Sequence, residues 1–168
     1  MHDRRYQLRQ AGLADLDQLL LVEEQCFETD RISRRQMRYL LTQAKSMTWV
    51  ATDIDSKIAS YGMILRPQPP KPARLYSLAT LPDFRGQGIA AALLWKLVEA
   101  LQERGHRACS LEVRKSDNRS QRLYRRCGFC PQKTLPNYYA DGEAAIRMRL
   151  KLPNRGQISH EQRINALA

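Results

Sequence analysis

The sequence has no long apolar run. Nothing in it approaches the roughly 18 consecutive apolar residues that span a bilayer, which excludes a membrane-spanning helix and a membrane partner. A leader pattern is missing too. Met1-His2-Asp3-Arg4-Arg5-Tyr6 is charged and leads into no apolar stretch with a small-residue cleavage site, so the cytoplasm is the expected compartment. Cysteine and histidine are scarce. The three histidines (His2, His106, His160) form no ligand pair with Cys26, Cys109, Cys127 and Cys130 at zinc spacing. Cys127-Gly128-Phe129-Cys130 therefore reads C-x-x-C without promising a metal site, and reduced thiols are the expectation. No internal repeat is present, and 168 residues suit one core of ordinary size rather than two.

Acidic residues are the minority, 17 against 28 Lys and Arg, for a net charge of +11. Such a surplus suits RNA, a polyphosphorylated small molecule, an acidic protein surface or a ribosomal neighbourhood, and alone it names no partner.

What is there reads as ordered punctuation. Tyr6 to Leu8 alternates like a strand, Gly12 breaks it, and Leu13, Leu16, Leu19 and Leu20 recur at helical spacing. Ser33 followed by Gln36 has the form of a capping box ahead of Met37, Leu40 and Leu41. The other face of that helix, Arg34, Arg35 and Arg38, is either solvated or a wall of a substrate cleft. Thr48 to Thr52 and Ile58 to Leu65 read as a hairpin, and the proline-rich segment 66–72 as a stiff connection. Leu75 to Leu81 is a further strand, and Ile89 to Glu103 an amphipathic helix ended by Gly105. Cys109 to Val113 is a short strand. Asp117 or Asn118 caps a helix that stops at Gly128, and Phe129 to Tyr139 and Ala144 to Leu152 form a last pair of strands. The order implies an α+β sandwich in which about four helices cover a mixed sheet of about seven strands, occupying residues 1–152. Residues 153–168 read as a mobile tail.

The informative unit is the strand ending at Leu81-Pro82 and the loop Arg85-Gly86-Gln87-Gly88-Ile89-Ala90 that opens a helix. Backbone N–H groups at a helix start lack internal partners, and the helix dipole adds positive potential, so a diphosphate is a natural ligand. Gly86 and Gly88 permit close backbone approach. A Walker loop is excluded because no Gly-Lys-Ser/Thr follows, and Ala91 or Ala92 poorly fills the third glycine of a dinucleotide fingerprint. By itself the glycine pair is also compatible with a simple tight turn.

Here the chain resembles the GNAT N-acetyltransferase superfamily, whose loop R/Q-x-x-G-x-G/A matches Arg85, Gly88 and Ala90. A second constellation, Leu111-Glu112-Val113-Arg114, Leu123-Tyr124 and Cys127-Gly128-Phe129, looks like the family's final motif. The similarity is closest to the ribosomal-protein alanine N-acetyltransferase branch, through Glu112, Tyr124 and Asn137-Tyr138-Tyr139. It covers about Tyr6 to Leu152 and implies a mostly antiparallel sheet of the acyl-CoA N-acyltransferase type.

The resemblance further implies that acetyl-CoA is the donor and that no metal is needed. Leu78, Ala79 and Thr80 would meet the pantetheine arm, and Arg85 to Ala90 the pyrophosphate. An ammonium has no lone pair, so a base must take its proton; Glu112 resembles that base, although a salt-bridged glutamate on a sheet face fits as well. Tyr124 resembles the acid that protonates the departing thiolate. Its reference pKa of about 10 suits a donor to a thiol of about 8.5 or somewhat above. The branch's pantetheine-touching asparagine falls at Asp117, with Asn118 next, so either residue could make that contact. Asn137, Tyr138 and Tyr139 would line the acceptor side. The branch implies a protein N-terminal amine as acceptor; lysine side chains, a small-molecule amine, and a non-catalytic module binding CoA or RNA are the alternatives.

Overall fold

A computed structural model describes residues 6–43 and 45–153. The tail expected over 153–168 therefore lies outside the described residues, apart from Pro153. Seven strands form one sheet: β1 (Gln7–Gln10), β2 (Ser46–Thr52), β3 (Ile58–Leu65), β4 (Ala73–Thr80), β5 (Ala108–Arg114), β6 (Cys130–Leu135) and β7 (Ala145–Lys151). Their order is β1-β2-β3-β4-β5-β7-β6, and every neighbouring pair is antiparallel except β4 with β5. The helices are α1 (Leu16–Cys26), α2 (Arg34–Thr42), α3 (Ile89–Glu103) and α4 (Asn118–Arg126). Among the described residues this is the expected sandwich, four helices on a mixed seven-stranded sheet.

The two faces of β3 explain the layers. Tyr61 and Met63 are fully buried against Leu19 and Val22 of α1 and Met37 of α2, while Ile64 joins Leu94, Leu97 and Leu101 of α3 on the other side. Gly62 faces α3 so closely that a Cβ would stand 2.7 Å from Leu97 Cδ1, and its bareness sets the depth at which α3 seats. Fully burying a leucine such as Leu97 contributes roughly 2 kcal/mol, so this face carries much of the stability.

Helix ends follow the local chemistry. Asp15 accepts hydrogen bonds from Arg9 (2.8 and 2.9 Å) and from Gly12 N (2.9 Å), fixing the entry to α1. The α2 capping box is only half formed. Ser33 Oγ accepts from Gln36 N at 3.2 Å, but the Gln36 side chain donates across to Tyr76 Oη instead of folding back. Asp117, not Asn118, caps α4, its Oδ1 accepting from Ser120 N at 2.9 Å.

One element is shorter than the sequence implies. The strand expected over 129–139 stops at Leu135, because Pro136 cannot donate to the ladder and Asn137 turns into the left-handed region at φ 49°. Asn137, Tyr138 and Tyr139 consequently sit in a loop between β6 and β7.

Candidate active site

The parallel pair is the opening on which the site is built. β4 and β5 are in register only at Ala73 with Cys109 and Arg74 with Ser110, and the strands then part. After β4 the chain makes a short turn at Pro82–Phe84 and enters α3 through Gly86 and Gly88, both at φ 76°. Gly88 is the N-cap residue of α3 and supplies no side-chain cap, so the first amides of the helix face outward without an internal partner.

A cavity of about 530 Å³ opens there, bordered by Leu78, Ala79, Thr80, Arg85, Gly86, Gly88, Ile89 and Ala90. Gln87 lies outside its lining; the Gln87 amide turns back to Asp83 O at 3.4 Å. Asp117 borders the cavity, whereas Asn118 does not. The Arg85 side chain folds onto the end of β4, with Nε donating to Thr80 O at 2.9 Å.

The cavity is strongly cationic for a reason absent from the sequence reading. Arg119, Arg122 and Arg126 of α4 line it together with Arg85. Their spacing of three and four residues puts them on one helix face, and that periodicity is the signal by which they could have been found. A groove with bare helix amides at one end and guanidiniums along one wall matches a ligand carrying several phosphates.

On the other side of the gap lies a second cavity of about 740 Å³, bordered by Glu112, Tyr138 and Tyr139 as well as by β4 and the loop between α1 and α2. Asn137 lies outside both linings. So do Arg34, Arg35 and Arg38, and Arg34 instead pairs with Asp17 at 2.6 Å. Tyr124 borders both cavities. Its ring is held edge-on by Phe129 at 5.9 Å, and burial, helped by the negative charge of Asp117, pushes its phenol well above the ordinary value. A proton is thus retained on Tyr124 at neutral pH.

The Glu112 side chain is only 5% exposed and lies between two arginines. Oε2 accepts from Arg74 Nε at 2.8 Å, and Oε1 accepts from Arg147 Nε at 3.0 Å. Arg147 Nη2 also stands 2.9 Å from Oε1, so the lone pair left for a further donor such as a water is on Oε2. Arg74 also donates to Tyr138 Oη at 2.8 Å, linking the strand pair to the β6–β7 loop.

Arg114, at the end of β5, ties the two loops at the mouth of this cavity. It bonds Thr29 and Asp30 of the α1–α2 loop and Asp141 and Glu143 of the β6–β7 loop, and stacks on Tyr139 with its guanidinium 4.0 Å from the ring centre. Ser116 and Arg114 together hold the Glu143 carboxyl down to about 2, while burial pushes Tyr139 up to about 12 against the opposing effect of Arg114. Glu23, which also borders this cavity, is buried, accepts from Ile32 N at 2.8 Å and from Tyr61 Oη, and has its carboxyl raised by burial.

The cysteines take no part in a cluster. Cys109 and Cys127 are buried, which pushes each thiol up to about 12, and Cys130 is exposed. Among the described residues no group of three or more His, Cys, Asp or Glu is placed to hold a metal ion, and no helix is long and apolar enough to cross a membrane.

Residues 13–129 match the family model for the acetyltransferase (GNAT) family. A Bacillus subtilis protein provisionally named a ribosomal protein bS18-alanine N-acetyltransferase is 30% identical over 142 residues, covering 84% of this chain and 92% of that protein. An N-alpha-acetyltransferase of Sulfurisphaera tokodaii is 28% identical over 160 residues, 89% of this chain and 95% of its own. The crystal structure of the ribosomal-protein-S18-alanine N-acetyltransferase from Escherichia coli superposes with a TM-score of 0.80 at 26% identity, covering 92% of this chain and 99% of that one. The chain belongs to the acetyltransferase (GNAT) family. It is an acetyl-CoA-dependent N-acetyltransferase, and the cationic groove with its bare helix amides fits the donor's phosphates.

Proposed function

We propose that the chain transfers acetyl from acetyl-CoA to the α-amino group of a protein N-terminus, as the names of its Bacillus and Sulfurisphaera relatives state for those proteins. The reading extends to a ribosomal-protein type of acceptor and to action in the cytoplasm. The observation that carries it is the position of Tyr124 at the junction of the two cavities, one fitted to a polyphosphate donor and one lined by Glu112, Tyr138 and Tyr139.

Each residue then has a definite task. The amides of the Gly88–Ala90 segment and the arginines of α4 bind the phosphates, and the edge of β4 from Leu78 to Thr80 faces the donor's arm. Asp117, at the same opening, is the residue of the Asp117/Asn118 pair positioned to touch it. Glu112, through a water on the free lone pair of Oε2, takes the proton from the incoming ammonium. Tyr124 hands its proton to the departing sulfur as the amine takes the acetyl group. Tyr138 and Tyr139 flank the acceptor, and Asn137 acts on it indirectly by setting the turn that carries them.

An α-amine is the easier acceptor. With a pKa of about 7.8 against about 10.4 for lysine, its neutral form is more accessible by roughly 3.5 kcal/mol near neutral pH. The test is CoA-thiol release with short peptides bearing either a free N-terminus or only a free lysine. Free N-termini are expected to react and blocked peptides with lysine to lag far behind; the reverse order would overturn the acceptor assignment. Tyr124→Phe is expected to lower kcat by about a hundredfold with little change in KM for acetyl-CoA. Glu112→Gln is expected to lower kcat with little change in KM for acetyl-CoA. An unchanged kcat in either variant removes that residue from the chemistry.

A further inference from the structure

A third cavity, of about 960 Å³, lies beside the acceptor cavity and shares Arg74, Glu112 and Tyr138 with it. Six cationic side chains border it, Lys45, Arg66, Arg74, Lys133, Arg147 and Arg149, against a single carboxylate, Glu112. The asymmetry comes from sheet geometry. In the β5–β7 register Ser110 is opposite Arg149 and Glu112 opposite Arg147, and paired residues share a face. The alternate residues Cys109, Leu111, Val113 and Met148 point into the core under α3 and α4. The side of the sheet that bears the cations is therefore the one turned away from those helices. On that side α1 and α2 pack against β2, β3 and β4. Lys133 and Arg149 lie beyond that cover and are exposed.

Arg74 and Arg147 have a partner in Glu112, which offsets one of their two charges. Lys45, Lys133 and Arg149 add their charges to the one left on the Arg74–Arg147 pair, and they front a groove rather than a convex surface, where low-dielectric walls concentrate the field. The groove begins where the acceptor cavity ends, at the Arg74–Tyr138 hydrogen bond. A polypeptide whose amine reaches Tyr124 continues naturally past that bond.

We propose that this basic groove holds a carboxylate-bearing stretch of the acceptor polypeptide, a few residues downstream of the acetylated amine. The proposal rests on the protein N-terminal acceptor reading above. It assigns selectivity to Lys133 and Arg149, which bind the acceptor's acidic side chains and stand outside the reacting centre.

The experiment uses the whole chain, saturating acetyl-CoA and peptides with free N-termini identical in their first three residues. Positions four to seven carry Glu and Asp, Ser and Gln, or Lys and Arg. The acidic series is expected to show kcat/KM about tenfold above the neutral one at low salt, a ratio that shrinks as ionic strength rises. The double variant Lys133→Ser with Arg149→Ser is expected to abolish most of that preference while leaving the rate with the neutral peptide unchanged. Equal rates for acidic and neutral peptides, or a preference that survives the double variant, overturns the proposal. If no free N-terminus is acetylated and a lysine or polyamine is, the acceptor reading fails first and the groove assignment falls with it. Salt-sensitive binding of single-stranded RNA that the double variant abolishes, with no difference among peptides, assigns the face to nucleic acid and likewise overturns it.

Discussion

At the scale of the residue, Glu112 and Glu23 show how environment divides one side-chain type into separate tasks. Both border the same cavity, but Glu112 is held by two guanidiniums, while Glu23 is bonded to Ile32 N and Tyr61. Burial raises the Glu23 carboxyl. The folded state thus binds that proton more tightly than the unfolded chain does. The resulting stabilisation is complete below the unfolded value of about 4.3 and is lost as the pH rises through the raised folded value. Glu23→Gln removes the titration, so the Tm of the parent minus that of the variant is expected to fall between pH 4 and pH 7.5. Thermal melts at the two pH values check this, and a difference that grows with pH contradicts it.

At the scale of the element, α4 is the piece whose two ends do different work. Its N-cap Asp117 orders the first turn at the junction of the cavities, and its arginines line the donor groove. Losing a cap costs about 1 kcal/mol, so Asp117→Ala is expected to lower the stability measured by urea denaturation by that amount, whereas Asp117→Asn keeps most of it. Equal losses in the two variants would mean that the carboxylate's charge rather than its capping oxygen matters. The same element shows what was readable in advance. The cap at 117 or 118 and the stop at Gly128 follow from side-chain chemistry and a positive φ, but the choice between Asp117 and Asn118 needed the backbone path. Gln36 teaches a similar lesson: Ser33-x-x-Gln36 has the right spacing for a reciprocal box, yet Tyr76 from β4 is the better partner once the sheet is assembled.

At the scale of the whole molecule, the mouth of the cavity bordered by Glu112, Tyr138 and Tyr139 is closed by contacts between segments far apart in sequence. Arg114 joins Asp30, 84 residues before it, to Asp141 and Glu143, 27 and 29 residues after it. Arg114→Ala is expected to raise KM for the acceptor about tenfold, with KM for acetyl-CoA nearly unchanged, because the two loops lose their common anchor while the cationic groove meets them only at Phe27. Steady-state kinetics with each substrate varied in turn check this, and a matching rise in KM for acetyl-CoA would show that the network supports the whole site.

The sequence by itself determined the element order, the glycine-bearing start of α3 and the pairing of Glu112 with Tyr124 as residues of one family motif. These are local: periodicity, caps, glycines at positive φ and spacing within a strand or a helix all act over a few residues. Only the tertiary structure decided that Tyr124 borders both cavities and that Glu112 lies between Arg74 and Arg147. Each of these depends on the β4–β5 parting and on the β5–β7 register, which bring Arg74, Glu112 and Arg147 together across 73 residues. Such pairing is fixed by how the whole core packs, and no short stretch of chain contains it.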